Sequence, residues 1–164
     1  MIYLLDANAF MEAARLYYGF DMTPGFWEWL QDPTLSGRVG SVTAVRDEIL
    51  NGDGELVRWA RALPQEFWLA DSYESIANMS RLAAWASDSE RTYGQAAVSE
   101  FMSSADLKLI ALAMAKGGVV VTREVPAPRS KKKVKIPDAC AAFAVRCVTP
   151  FDAYRLLGMK LIMA

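Results

Sequence analysis

Short apolar runs alternate along the chain with longer segments in which apolar residues recur at helical spacing. Ile2–Leu5 is a continuous apolar run that predicts a strand buried on both faces, and a helical pattern follows from about Asn8 to Tyr18. Val119–Thr122 is the strongest predicted strand, and it follows a helix predicted over Leu107–Lys116 that ends at Gly117-Gly118. Strands alternating with helices predict a three-layer α/β/α fold around a short central parallel sheet.

The remaining predicted elements are short and are separated by proline and glycine. Further strands are predicted at Arg38–Val42, Phe67–Leu69 and Cys147–Thr149. Further helices are predicted at Phe26–Leu30, Thr43–Leu50, Asp53–Leu63 with Asp53 as its cap, Tyr73–Ala86, Thr92–Met102, Pro137–Val145 and Pro150–Gly158. Residues 123–133, rich in proline and basic side chains, predict a surface loop. We expect one domain over residues 1–158 and an apolar tail over residues 159–164 that docks on the domain or on a second copy.

Composition excludes several kinds of chemistry. The 164 residues contain no histidine, which removes Ser-His-Asp triads, histidine proton shuttles and His-containing zinc sites. The two cysteines are too few for a disulfide framework and wrongly spaced for CxxC redox chemistry, so we expect buried thiols in a reducing cytosol. No apolar run is long enough to span a membrane, and the amino terminus has no basic leader. The sequence therefore predicts a cytoplasmic protein without a membrane partner.

Acidic residues next to predicted strand ends are the candidates for chemistry that remain. Asp6 ends the first strand and Glu124 follows the strongest one, while Asp106 begins the helix before that strand and Glu48 lies in the helix after the second strand. Ligands of open parallel sheets bind beyond the carboxyl ends of the strands. If these acids converge, their repulsion favours a divalent cation, and oxygen ligands without imidazole select Mg²⁺ or Mn²⁺. Such a site suits hydrolysis of a phosphodiester by a metal-activated water.

Each acid also has a structural interpretation. Ser103 and Asp106 form a capping-box pattern, Glu48 lies in a helix face beside Asp47, and Glu124 has the cation Arg123 as its neighbour. Asp6 is the hardest to explain in this way, because an acid against a buried strand costs desolvation free energy unless something compensates its charge.

Basic and aromatic residues indicate a nucleic-acid partner. The predicted loop and the residues after it place a dense positive patch behind Glu124, formed by Arg123, Arg129, Lys131, Lys132, Lys133 and Lys135. Beside an acidic metal site such side chains suit phosphate binding. Six aromatic residues could stack on bases, although their helical spacing favours core packing for most of them. They are Tyr17, Tyr18, Phe20, Phe26, Trp27 and Trp29.

Several segments spread along the chain resemble a known group. Leu5-Asp6-Ala7-Asn8-Ala9-Phe10 resembles the opening motif of PIN-domain nucleases. More narrowly, the chain resembles a PIN-like family of uncharacterised bacterial and archaeal proteins that are proposed to be toxins of toxin-antitoxin pairs. The segments that carry this likeness are residues 15–20 (RLYYGF), 24–27 (PGFW) and 133–140 (KVKIPDAC).

The resemblance implies a Rossmann-like PIN fold and a metal-dependent endoribonuclease acting on RNA. By position, Asp6, Glu48 and Asp106 match the first three acids of the family. Glu124 stands where PIN domains have an Asp, with Asp138 as a competing candidate and Asp47 as an alternative to Glu48. Asn8 would orient Asp6 or a metal-bound water, and Thr122 would bind a water or a phosphate.

Three other expectations remain open from the sequence. A helix-turn-helix antitoxin would be the partner of a toxin, and the exposed apolar segments permit a homodimer. The alternative function is a catalytically inactive PIN-like module that binds RNA or protein. A phosphatase with Asp6 as nucleophile fits less well, because Asn8 cannot act as the proton donor that this chemistry needs two residues later.

Overall fold

The structure, a computed structural model, describes residues 1–163. Five short strands form its sheet: β1 (Tyr3–Leu5), β2 (Val39–Val42), β3 (Trp68–Leu69), β4 (Val119–Val121) and β5 (Arg146–Val148). The predicted strands are therefore confirmed, each with bounds that differ by one or two residues. β1 and β4 are buried on both faces, which explains why their sequences are continuous apolar runs rather than alternating ones.

The strands are all parallel and lie in the order β3-β2-β1-β4-β5. Leu5 of β1 pairs with Val121 of β4, so the residues that follow these two strands emerge side by side. In β2 a glycine is required by close packing, because a Cβ at Gly40 would lie 2.8 Å from the carbonyl oxygen of Phe67.

Helices fill the connections between strands. They are α1 (Ala7–Glu12), α2 (Pro24–Leu30), α3 (Thr43–Leu50), α4 (Glu55–Ala62), α5 (Tyr73–Ser87), α6 (Gln95–Ser103), α7 (Ala105–Lys116), α8 (Ile136–Ala142) and α9 (Pro150–Leu156). α5, α6 and α7 pack against one another and α8 packs on α7, whereas α3 packs on α1 and α4. The sheet thus lies between two helical layers, and the three-layer α/β/α prediction is confirmed.

Three local predictions are wrong. The helix predicted from Asn8 to Tyr18 changes after Glu12 into a π-helical turn over Ala13–Tyr17, in which the Tyr18 N–H donates to the Ala13 carbonyl. The cap of α7 is Ser104 rather than Ser103, because the Ser103 hydroxyl instead donates to carbonyls within α6. Gly54, with a φ of 90°, precedes α4 in place of Asp53.

The carboxyl-terminal tail follows α9 without regular secondary structure over the described residues 159–163. Met159 packs partly on the core, whereas Ile162 and Met163 are exposed. Ala164 lies outside the described residues. Over residues 1–163, no helix is both long and apolar enough to cross a membrane.

Candidate functional site

The carboxyl ends of β1 and β4 meet at the switch point of the sheet. From β1 the chain proceeds to β2 on one side, and from β4 it proceeds to β5 on the other. Parallel sheets bind ligands at such a point, because the connections diverge and leave a crevice. The strand register places Asp6 beside Thr122 there, and the Thr122 hydroxyl donates a hydrogen bond to Oδ2 of Asp6.

Asp6 is a buried carboxylate with incomplete compensation. Only 2% of its surface is exposed, and its Oδ1 accepts a hydrogen bond of 2.7 Å from the Ala9 N–H as the amino-terminal cap of α1. Burial nevertheless raises the pKa of Asp6 from 3.8 to about 6, and the negative charges of Glu124 and Glu12 add to this effect. The hydrogen bonds therefore offset only part of the desolvation cost.

Asp106 lies in the first turn of α7 and is the second carboxyl group with a strongly raised pKa. Burial, followed by the charges of Glu124 and Asp6, raises its pKa from 3.8 to about 7. Glu48 contributes further in the same direction, whereas Lys133 lowers this pKa. The other three acids predicted from the sequence thus all act electrostatically on Asp106, although the four come from distant parts of the chain.

Glu124 differs from these two aspartates because it has nearby positive partners. Its Oε2 accepts a hydrogen bond of 2.7 Å from the Ile136 N–H at the start of α8, and its Oε1 lies 3.4 Å from Nζ of Lys133. Its competitor Asp138 accepts a hydrogen bond of 2.9 Å from the Ala127 N–H and so ties the loop to α8. Of the two, Glu124 is the acid whose charge raises the pKa of both Asp6 and Asp106.

The acids from α3 lie at the exposed margin of the molecule. Glu48 and its alternative Asp47 are both exposed. Among residues 1–163, no three acidic or cysteine side chains come close enough together to ligate a single ion. A cation at this end of the sheet would therefore be held by fewer than three of the described acids at once, and Asp6 and Asp106 are the two whose pKa values are most strongly raised.

The predicted basic patch is divided. Lys133 is half-buried against Glu124, and Arg123 forms an ion pair of 2.7 Å with Glu12 of α1. Arg129, Lys131 and Lys132 are exposed, Lys135 is half-buried at the start of α8, and Asn8 is exposed on α1. The structure thus brings two of the predicted cations next to acids at this end of the sheet.

The six aromatic residues proposed to stack on bases differ in how deeply they are buried. Phe26 and Trp27 are buried, and Tyr18 stacks on Phe26 with ring centroids 4.2 Å apart. Phe20 and Trp29 are half-buried, so core packing is confirmed as the main role of this group. Tyr17 is the exception, since 40% of its surface is exposed.

Sequence reasoning missed two residues near the site, Glu12 and Phe151. Glu12 orients Arg123 and raises the pKa of Asp6. Phe151 of α9 packs edge-on against Tyr17. Neither stood out, because one is an ordinary acid in a helix and the other an ordinary aromatic near the end of the chain.

The fold and the site define an α/β protein in which the buried carboxylate of Asp6 lies at the switch point of a parallel sheet. The family model described as Domain of unknown function (DUF4411) matches residues 3–161, so the chain belongs to this family. No curated protein matches the chain.

Proposed function

We propose that the protein is a metal-dependent endoribonuclease that hydrolyses RNA phosphodiesters with a metal-activated water. The observation that carries this proposal is the pair Asp6 and Asp106, whose pKa values are both raised by burial and by neighbouring negative charge. Lys133 offsets only part of the negative charge at Asp106, and a divalent cation would supply further positive charge to both acids.

The donor set fits Mg²⁺ or Mn²⁺. These ions prefer carboxylate oxygens, and Mg²⁺ is often held by one or two carboxylates, with waters and substrate phosphates completing its shell. Asp6 and Asp106 would provide those carboxylates, with Glu124 and Glu48 as further acids. A bound ion of this kind lowers the pKa of a water and stabilises charge on a phosphodiester undergoing hydrolysis.

The chain's own residues would orient the acids and bind the backbone of the RNA. Thr122 holds Oδ2 of Asp6 in place through its hydroxyl, and the Ala9 N–H holds Oδ1. Lys133 forms an ion pair with Glu124, and its charge also lowers the pKa of Asp106. A phosphate of the RNA could replace these carboxylates as the partner of its ammonium group. Arg129, Lys131 and Lys135 would add weaker contacts with the RNA backbone.

The wider biological role is proposed from the resemblance to PIN-like proteins. A toxin of a toxin-antitoxin pair would act on cytoplasmic RNA and would be inhibited by a small helix-turn-helix protein. Cys140 is a buried free thiol and Cys147 a half-buried one, so the prediction of two buried thiols holds for Cys140 alone. A homodimer is compatible with the exposed apolar residues of the tail.

The decisive test is cleavage of a mixed RNA pool with Mg²⁺ or Mn²⁺. We expect Asp6→Asn and Asp106→Asn to lower the rate by more than about 100-fold, since loss of even an outer partner of a metal ligand costs about 10- to 100-fold. Asp53→Asn is the matched control, because Asp53 is an exposed aspartate that is not one of the candidate acids. Equal cleavage by the native protein and all three folded variants would rule out the nuclease.

A second candidate is an inactive PIN-like module that binds RNA or protein. The hydrogen bonds from Thr122 to Asp6 and from the Ile136 N–H to Glu124 favour it, because they engage carboxylate oxygens that a metal would otherwise use. The two functions differ in their response to Mn²⁺. A nuclease is stabilised by the ion, by about 2.7 kcal/mol at a hundredfold excess over Kd, whereas an inactive module keeps the same melting temperature.

A further inference from the structure

Tyr17 and Arg123 form an exposed aromatic and cationic pair beside the acidic site. The guanidinium carbon of Arg123 lies 5.1 Å from the centroid of the Tyr17 ring. The edge-on contact of Phe151 with Tyr17, with centroids 5.1 Å apart and the rings at 90°, holds the ring from another side. Both members of the pair remain partly open to solvent, so the pair offers a rigid surface that no side chain covers completely.

The pair is held in place by neighbours that belong to the acidic site. Glu12 fixes Arg123 through an ion pair of 2.7 Å, and the charge of Glu12 also raises the pKa of Asp6. Arg123 directly follows Thr122, whose hydroxyl bonds to Asp6. The aromatic and cationic surface therefore lies next to the carboxylate proposed to act on the phosphodiester.

The backbone of the π-helical turn explains why Tyr17 is available when its neighbour is not. Tyr18 is occupied by its stack on Phe26, while Tyr17 closes the widened turn over Ala13–Tyr17 at the surface. Such turns occur frequently at functional sites. The turn thus places Tyr18 against the core and leaves Tyr17 at the surface.

A small cavity and a buried polar atom also lie beside the pair. A small cavity beneath the pair is lined by Glu12, Tyr17, Arg123, Phe151 and Tyr154, among others. The Tyr154 hydroxyl is buried and has no hydrogen-bond partner among the described residues. A buried hydroxyl without a partner costs about 1–3 kcal/mol, and the cavity, of about 10 Å³, has room for no more than one water. Binding of a base here therefore depends on the exposed ring of Tyr17 and on the guanidinium of Arg123.

We propose that Tyr17 and Arg123 form a stacking platform for one unpaired base of single-stranded RNA held at the acidic site. This inference rests on the proposed function, since it names how the substrate is gripped. Aromatic rings and guanidinium planes both stack on splayed bases, and a cation at the same place also attracts the adjoining phosphate. The platform would therefore select single-stranded over double-stranded RNA, whose bases are already stacked.

The test measures binding rather than cleavage, in the full chain carrying Asp6→Asn so that the RNA stays intact. The probe is a single-stranded RNA oligonucleotide with 2-aminopurine, followed by anisotropy for affinity and by fluorescence for stacking. We expect Tyr17→Ala to weaken binding by about 5- to 150-fold and to abolish the fluorescence change, since stacking of one base is worth about 1–3 kcal/mol. Tyr17→Phe keeps the ring and should keep the affinity of the Asp6→Asn parent.

Two controls separate stacking from a general effect on the fold. Tyr73→Ala removes a tyrosine that is 97% exposed at the start of α5, and it should bind RNA as the parent does. An RNA of the same length with abasic sugars should bind equally to the parent and to Tyr17→Ala. Equal binding of 2-aminopurine RNA by Tyr17→Ala and Tyr73→Ala would overturn the platform, as would an unchanged Tyr17→Ala defect on abasic RNA.

The outcomes for the platform and for the nuclease are distinguishable. A protein that cleaves RNA but binds it independently of Tyr17 overturns the platform alone. A protein that binds RNA through Tyr17 but cleaves none, with any metal, overturns the nuclease alone and leaves a binding module.

Discussion

Two kinds of acid occupy the carboxyl end of the sheet. Asp6 is buried and Asp106 is half-buried, and their pKa values rise to about 6 and about 7 because the charge of Lys133 offsets the effect on Asp106 only in part. Glu124 is also well covered, with 11% of its side chain exposed, but Lys133 and the Ile136 N–H partner its two oxygens. The charges of Asp6 and Asp106 therefore lower the stability of the fold, whereas the contacts of Glu124 stabilise it.

The difference shows that position at a strand end does not define a functional acid by itself. Glu124 follows the strongest strand, yet its contacts fasten the loop of residues 123–135 to α8. The neighbours of Asp6 and Asp106 do not offset their burial, and the charge of Glu124 raises the pKa of both further. Groups with strongly perturbed pKa values occur often at functional sites, and cation binding is a function that would explain two destabilising acids here.

The largest expected effect in solution is a change in the pH dependence of stability in Asp106→Asn. The folded state keeps the proton on Asp106 up to about pH 7, whereas an unperturbed carboxyl loses it near pH 3.8. The folded protein therefore binds more protons between these values, so this group lowers stability as the pH rises through them, with no further loss above. Asp106→Asn removes that loss.

We expect Asp106→Asn to raise the free energy of unfolding at about pH 8 by on the order of 3 kcal/mol, with little gain near pH 4. The favourable interaction of an acid with the helix dipole, about 0.3–1 kcal/mol, is too small to reverse this sign. Urea unfolding with a chelator at both pH values measures the effect. Asp47→Asn should change stability by no more than about 0.5 kcal/mol at either pH. A destabilised Asp106→Asn at high pH would contradict the comparison.

The next effect concerns the hydrogen bond from Thr122, which offsets part of the desolvation cost of Asp6. Thr122→Val keeps the shape of the side chain but removes the hydroxyl that bonds to Oδ2 of Asp6. We expect a loss of about 1–3 kcal/mol at about pH 8 and a further rise in the pKa of Asp6, because a buried charge loses its donor. Thermal unfolding over a pH series checks both. Thr122→Ser, which retains a hydroxyl, should preserve the pKa and would share the full defect only if the hydrogen bond were unimportant.

The smallest expected effect is a decrease in the free energy of unfolding, whereas Asp106→Asn should increase it. Glu124→Gln removes the attraction to Lys133 and weakens the bond from the Ile136 N–H, so we expect a loss of about 1 kcal/mol. The measurement belongs at about pH 5, where Asp6 and Asp106 are largely protonated and relief of their repulsion contributes little. Chemical unfolding of the native protein, Glu124→Gln and the control Asp47→Asn under the same conditions measures this change in the free energy of unfolding. A clear stabilisation would mean that Glu124 belongs with the uncompensated acids.

Much of the fold could be predicted because its signals are local. The three valines of β4 between Gly118 and Thr122 leave few alternatives to a buried strand, and Gly117 ends α7 with a φ of 61°. The π-helical turn after Glu12 could not be predicted, because its residues have the same apolar spacing as an α-helix. It follows from how Tyr18 packs on Phe26 and Tyr17 on Phe151.

The candidate acids could also be named from the sequence, but their states could not. Asp6 and Thr122 are 116 residues apart, and only the register of β1 with β4 makes them neighbours. The same applies to Glu124 and Lys133, whose pairing depends on the path of an irregular loop. Spacing identifies residue types at strand ends, whereas burial and partners come from the assembled sheet.

The sequence by itself determined the alternation of strands and helices, the absence of histidine chemistry and the supply of acids near strand ends. These are properties of local pattern and composition, which each segment carries wherever it lies. The tertiary structure alone decided which acid is left short of positive charge, which tyrosine stays at the surface and which cation faces which carboxylate. Electrostatic and stacking energies depend on distance and on exclusion of water, and both exist only once distant segments have packed together.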